Sequence, residues 1–259
     1  MMAQDLKKHF PDIRRTRAGR FLAPLLVAAL LAGCATAPEG VEIWDPYEEQ
    51  NRAVHAENRA IDAMVLRRGA ASFEQSVPAP VRASIANLSD NLSLPGQALN
   101  GLLQGRPETV VENTFRFLLN STLGVGGLFD PASEFGLAGR PTDFGETLHV
   151  WGAPEGAYVE LPFLGPSTQR DAFGRLVDVV IDPVRYVLPV RERNLTYGVH
   201  LLARVGDRGR YSAFFDATLY ESADSYAQAR LMYLQNRRFL LGDESRTQFI
   251  DPYEDLYGD

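Results

Sequence analysis

Residues 113–131 constrain this chain more than any other stretch, because there a helical pattern runs directly into a glycine-rich break. Val111, Phe115, Leu118 and Leu119 fall at spacings of four, seven and eight residues, with Phe117 widening the stripe, which is the period of one buried helix face. A core helix is expected, begun at Glu108, whose carboxylate in the first turn complements the helix dipole. It should stop at Gly124, since Gly124, Gly126 and Gly127 give a backbone freedom that is costly inside a helix, and Asp130-Pro131 requires a turn before a helix resumes. An apolar helix therefore empties into a flexible apolar loop.

The N-terminus has the layout of an export signal. Lys7, Lys8, Arg14, Arg15, Arg17 and Arg20 outweigh Asp5 and Asp12, and residues 21–31 form an apolar run too short to remain as a membrane-spanning helix. The run ends in Leu31-Ala32-Gly33-Cys34, which resembles the lipobox of bacterial lipoproteins, where the cysteine thiol receives lipid before cleavage. Cys34 is the only cysteine in the 259 residues, so no disulfide can form within the chain. Residues 1–33 are expected to be signal peptide, 34–43 a lipidated tether, 44–242 a single helical domain and 243–259 an acidic tail.

Removing the signal sharpens the charge. Six basic and two acidic residues leave with it, so 20 Lys and Arg face 31 Asp and Glu, a formal net charge of −11. So acidic a body argues against nucleic acid and against electrostatic docking on anionic headgroups. Membrane association must then come from acyl chains and apolar surface, at about 0.8 kcal/mol per buried methylene.

Along the body the signals are helical. Asp45-Pro46 reads as an N-cap and first helical residue leading through Asn51 to Leu66. Pro78 and Pro80 mark a break, followed by a short helix over 81–92 and a separate segment over 97–103 opened by Pro95-Gly96. Residues 132–161 carry too many glycines and prolines for long elements, and the expectation there is an ordered loop with one helical turn at 144–148. Thr168 and Asp171 have capping-box spacing for a helix carrying Phe173, Leu176, Val177 and Val180. Further helices are expected from Asn194 to near Gly206, over 211–220 and over 224–241. No strand pattern emerges, so the fold class is mainly α.

Catalytic and metal signatures are missing from this pattern. His55, His149 and His200 do not have metal-ligand spacing, and no nucleophile elbow or phosphate-binding loop is present. No cofactor is expected and the chain does not read as an enzyme; a triad of His149, Ser167 and Asp171 is the one catalytic alternative. Arg116 and Asn120 lie off the apolar stripe, either solvated or salt-bridged, or lining a polar passage. Trp151 and Tyr158 are either interface aromatics or plain core.

Three blocks in order carry a family resemblance: Phe115-Arg116-Phe117-Leu118-Leu119-Asn120-Ser121-Thr122-Leu123-Gly124-Val125-Gly126-Gly127, then Asp143-Phe144-Gly145-Glu146-Thr147-Leu148, then Leu161-Pro162-Phe163-Leu164-Gly165-Pro166-Ser167. They resemble the MlaA (VacJ) family of outer-membrane phospholipid-transport lipoproteins, and the similarity runs from about Asp45 to about Arg238. The chain departs from the family where Gln50, His55 and Glu57 replace usual aromatics. The resemblance implies a ring of amphipathic helices, with a long irregular central loop, embedded in the inner leaflet of the outer membrane. It implies the partners as well: phospholipid, a trimeric outer-membrane porin and a soluble periplasmic lipid carrier, with the membrane held through lipidated Cys34. The lipid pathway or gate would then involve Phe115, Arg116, Asn120, Gly124, Gly126 and Gly127. The competing reading is an envelope scaffold that tethers porins without moving lipid.

Overall fold

The structure is a computed structural model and describes residues 37, 38 and 40–242. Helices dominate: α1 (Glu48–Ile61), a π-helical stretch (Asp62–Leu66), α2 (Arg67–Ser76), α3 (Ala79–Leu103), α4 (Pro107–Thr122), and short α5 (Pro131–Glu134) and α6 (Phe144–Val150). After a hairpin come α7 (Gln169–Ile181), α8 (Pro183–Val187), α9 (Val190–Arg210), α10 (Ser212–Asp216), a second π-helical stretch (Ala217–Glu221) and α11 (Ser225–Leu240). The packing closes into a circuit: α2 against α9, α9 against α3, α3 against α6, α6 against α7, α7 against the hairpin, and the hairpin against α1, which continues into α2.

Three local expectations change. Strands β1 (Tyr158–Leu161) and β2 (Gly165–Thr168) form an antiparallel hairpin, pairing Tyr158 with Thr168 and Leu161 with Gly165. Four residues per strand are too few for a period of two to declare itself. Pro95 does not divide α3, which runs unbroken through it. The lost hydrogen bond and ring clash cost about 3 kcal/mol in isolation, and here α4 and α9 hold the helix on two flanks. Asp45 is not an N-cap, for α1 begins at Glu48 after Tyr47. Its carboxylate instead accepts from Asn51 Nδ2 at 2.8 Å, from Arg230 at 2.5 Å and from the Tyr226 hydroxyl.

The expected cap at Thr168 does form, and Asp143 and Asp224 cap their helices in the same way, each side chain accepting from a backbone N–H three residues on. Helix α9 starts at Val190 behind Pro189 and runs past Gly206 to Arg210. Of the aromatics, Tyr158 is core at 1% exposure, packed with Tyr226 and Leu234, whereas Trp151 is half exposed with its indole N–H on the Leu103 carbonyl.

The interior is unusual in kind. Among the described residues, nine apolar side chains are buried against nineteen polar or charged ones, the reverse of an ordinary globular core. Large apolar side chains sit outside instead, on α4 and on the run from α7 to α9.

A polar-lined helix and its glycine loop

Helix α4 shows the inversion residue by residue. Its buried stripe is Thr109, Asn113, Arg116 and Asn120, spaced four, three and four apart, while Val111, Phe115 and Leu118 are each more than half exposed. The core-helix expectation is therefore corrected: the apolar stripe exists with the expected period and faces outward. Periodicity fixes that two faces differ but not which medium each will meet.

The polar stripe binds the segment that follows the helix. Arg116 donates to both oxygens of Asp130 at 2.9 and 3.1 Å, to Ser133 Oγ at 3.2 Å and to the Leu137 carbonyl. Asn120 donates to Asp130 Oδ1 at 2.8 Å and accepts from the Ala132 N–H at 3.0 Å. Asn113 exchanges two bonds with the Arg140 backbone, and Glu112 takes the Gly139 N–H and the Arg140 guanidinium. Burial acts to raise the Asp130 carboxyl, but bonds from Ser133, Asn120 and Arg116 outweigh it and hold the group below the usual carboxylate range. Arg116 is thus salt-bridged, and the helix interior is stitched to residues 130–140 by side chains rather than by apolar packing.

Between helix and stitched segment lies the glycine turn. Gly127 has φ +97°, and a Cβ there would stand 2.6 Å from Asn91 Nδ2, so only glycine fits. At Gly124 a Cβ would fall 2.4 Å from both the Asn120 and Phe129 carbonyls. The Gly127 N–H donates to the Asn120 carbonyl at 2.8 Å, Asn87 holds the Leu128 carbonyl at 3.3 Å, and Asn91 donates to Ser121 Oγ at 3.1 Å. The loop is pinned to α3 and α4 at these points, while Val125 at φ +53° and Gly126 at φ +75° project away from them into solvent.

Further charged groups lie along α3, within electrostatic reach of this loop. Burial raises the Asp90 carboxyl, helped by Asp207 and Asp130 and opposed by Arg116 and Arg210. Beyond Asp90 a cleft of about 310 Å³ opens between α2, α3 and α9, with Glu74, Arg82, Asp207 and Arg210 around small residues such as Ala86 and Gly206. On the α3–α9 seam His200 Nδ1 lies 2.8 Å from Ser89 Oγ, its pKa lowered first by burial, with Asp182 pulling the other way. Asp90, Asp207, Thr109 and Asn113 are not singled out by the sequence, in which Asp130 reads only as a turn residue. The spacing of Thr109, Asn113, Arg116 and Asn120 was the signal that could have found them.

Of the expected site residues, Arg116, Asn120, Gly124 and Gly127 come together at one junction. Gly126 lies at the exposed tip, Phe115 points to the opposite side of α4, and Cys34 lies outside the described residues. The catalytic alternative does not assemble. Ser167 is fully buried with its hydroxyl on the Thr168 carbonyl, and Asp171 is taken by Tyr233 at 2.6 Å and Arg237 at 2.9 Å. His149 Nδ1 sits 3.4 Å from Arg170 Nη1, not against a nucleophile. Among the described residues no cluster of three or more metal-ligating side chains occurs.

A helical circuit that buries polar groups and presents apolar ones, with no described helix long and apolar enough to cross a membrane, defines an amphipathic protein of the membrane interface. Comparison with known proteins agrees: the model of the MlaA lipoprotein family matches residues 43–240. The chain belongs to the MlaA lipoprotein family. It is 33% identical over 241 residues to the intermembrane phospholipid transport system lipoprotein MlaA of Escherichia coli, covering 88% of this chain and 92% of that one. The Haemophilus influenzae protein of the same name is 30% identical over 232 residues, covering 86% and 90%. An uncharacterized protein of Rickettsia typhi is 32% identical over 191 residues, covering 73% and 75%. A solved chain from work on the structural basis for maintenance of bacterial outer membrane lipid asymmetry superposes with TM-score 0.64 at 30% identity, covering 76% of this chain and 98% of that one.

Proposed function

We propose that this chain is the outer-membrane lipoprotein that takes mislocalised phospholipids from the outer leaflet and passes them to a soluble periplasmic carrier, so maintaining lipid asymmetry. The observation that carries the reading is α4, with its polar stripe buried and its apolar stripe, Val111, Phe115 and Leu118, exposed. Such a helix gains stability where its outer face meets hydrocarbon, at roughly 25 cal/mol for each Å² of apolar area removed from water.

In this reading Cys34 carries the lipid anchor, the apolar belt sits in the inner leaflet beside a trimeric porin, and headgroups follow the charged groups along α3. Phe115 meets acyl chains from outside. Arg116 and Asn120 act as positioning residues, holding Asp130 and so the far end of the loop. Gly124, Gly126 and Gly127 form the loop that moves aside. No bond is made or broken, and the protein is a conduit rather than an enzyme, a reading supported by the unassembled His149, Ser167 and Asp171.

The test is surface phospholipid in cells carrying Gly127→Val, with porin association measured in parallel. Raised surface phospholipid with porin co-purifying normally is the expected result. Normal surface lipid in a folded Gly127→Val protein would overturn the conduit and leave the scaffold.

A further inference from the structure

The cleft of about 310 Å³ between α2, α3 and α9 differs from its surroundings in how charge is matched. On the same helices, Arg67 of α2 pairs with Asp216 at 2.7 Å and Arg208 of α9 pairs with Asp62 at 2.8 Å. In the cleft, Glu74, Arg82, Asp207 and Arg210 line a space whose other walls are small residues such as Ala83 and Ala203. None of the four enters an ion pair among the described residues, and the one side-chain bond they make runs from Arg82 Nη1 to the Glu74 backbone carbonyl at 2.6 Å. Two of the groups are nonetheless held in place. The Arg82 bond closes the end of α2 and leaves its other donors unused. The half-buried Glu74 side chain lies against the α9 backbone, where a Cβ on Gly209 would stand 2.8 Å from its Cγ. Charges fixed in position and left without partners are pre-organised for a ligand that carries both signs.

We propose that this cleft is a headgroup site for a phosphodiester bearing a primary amine, which among phospholipids is the ethanolamine class; the inference rests on the conduit reading and adds a preference to it. Arg82 and Arg210 donate to the phosphodiester, and Glu74 and Asp207 accept from the ammonium. Two guanidiniums and two carboxylates cancel, so a zwitterion leaves the cleft balanced, whereas a glycerol headgroup leaves an excess negative charge beside the two acids. A choline headgroup has the positive charge but no N–H for those carboxylates. Selection comes from the acids left unpaired by the wrong headgroup as much as from the bonds made to the right one. The volume stands at the lower end of the roughly 300–1,000 Å³ of small-ligand sites, room for a headgroup and not for a whole lipid. Acyl chains stay outside, where Val81 of α3 and Leu202 of α9 offer exposed apolar surface.

The test is calorimetric titration of the full chain, solubilised in detergent, with phospholipids that share dihexanoyl tails and differ in headgroup. The ethanolamine lipid should bind about tenfold more tightly than the glycerol and choline lipids. Glu74→Gln combined with Asp207→Asn keeps side-chain size and breaks no ion pair, and it should bring the three lipids to within about twofold of one another. Arg210→Gln, which also breaks no bond, should weaken all three and leave their order unchanged. Glycerophosphoethanolamine, which has no tails, separates a lipid from a soluble phosphodiester and should bind at least about tenfold more weakly than the ethanolamine lipid. Equal affinity for that free headgroup would reassign the site to a soluble ligand and overturn the proposal. Equal binding of the three lipids by the parent chain would overturn the preference while leaving the conduit intact, and a preference that survives the double variant would deny Glu74 and Asp207 their part. The conduit fails on a separate reading, the surface phospholipid of Gly127→Val cells.

Discussion

Two regions of this molecule are built on opposite rules. At the corner where α1, the hairpin and α11 meet, Tyr158, Tyr226 and Leu234 are buried in an ordinary small core and charged side chains knit its margin. Along α4 the buried face is Thr109, Asn113, Arg116 and Asn120, and the apolar side chains are outside. The corner could stand in water, where burying aromatics drives folding. Helix α4 is held inward by hydrogen bonds and by two ion pairs, Arg116–Asp130 and Glu112–Arg140, each worth little net in water, and its outer face gains only in an apolar surrounding. The corner is an apolar clamp, whereas the α4 region, on the proposed function, supplies the surface for lipid and the loop that moves aside.

The largest effect should come from cutting the corner. Arg237 bonds Asp171 at 2.9 Å and Asp143 at 2.7 and 2.8 Å, joining α11 to α7 and to the start of α6. Arg237→Ala removes the main cation from the buried Asp171, leaving it Tyr233 and the more distant Arg170, and losing one partner of a buried pair costs up to about 3–5 kcal/mol. Thermal unfolding followed by circular dichroism should show a large drop in midpoint, and an unchanged midpoint would deny the corner its role as clamp. Gly127→Val should come next and act locally. A side chain at φ +97° aimed at Asn91 carries about 1–2 kcal/mol of backbone strain and about 1–3 kcal/mol of overpacking. Hydrogen exchange should rise over residues 123–130 and stay unchanged in α11; a rise in both would mean the regions are not separate.

Phe115→Ser separates the two rules directly. Were Phe115 core, truncating it would cost several kcal/mol of stability, about 3–5 for loss of a buried phenylalanine. As it is 56% exposed, thermal stability in solution should hardly move, and binding to phospholipid vesicles should fall about tenfold. A large stability loss without a binding loss would restore the core-helix reading.

That reversal marks how far the sequence could be read. Most helices, the Thr168 cap and the glycine break were legible because they rest on local physics: the Thr168 hydroxyl accepts from the Asp171 N–H, whatever surrounds it. The facing of α4 was not legible, since Phe115 and Arg116 describe the same periodicity whether the outer medium is water or hydrocarbon. Pro95 misled because its penalty is local and the packing of α3 against α4 and α9 is not. The hairpin escaped because Pro162, Phe163 and Leu164 look like a loop until the strands beside them are paired. Asp130, the partner that completes the site, was legible only as part of a turn before Pro131, and its side chain also caps α5 by accepting from the Ser133 N–H.

The smallest effect concerns that carboxylate and is set by pH. Bonds from Ser133, Asn120 and Arg116 hold Asp130 below the usual range against the opposing pull of burial. A group depressed in the folded state contributes its stability above its unfolded value, about 3.9 for Asp, and loses it as pH falls through the lower folded value. The loop over residues 123–137 should therefore stay protected through neutral and mildly acidic pH and open only as acidity passes below the ordinary carboxylate range. Asp171 is likewise depressed, burial opposing and Arg237 and Arg170 prevailing, so the corner loosens in the same direction. Asp130→Asn isolates the loop's share: its exchange should become faster at neutral pH and lose its acid-dependent step, while the step in α7 and α11 remains. Loss of both steps together would mean that one cooperative unit underlies what the structure presents as two.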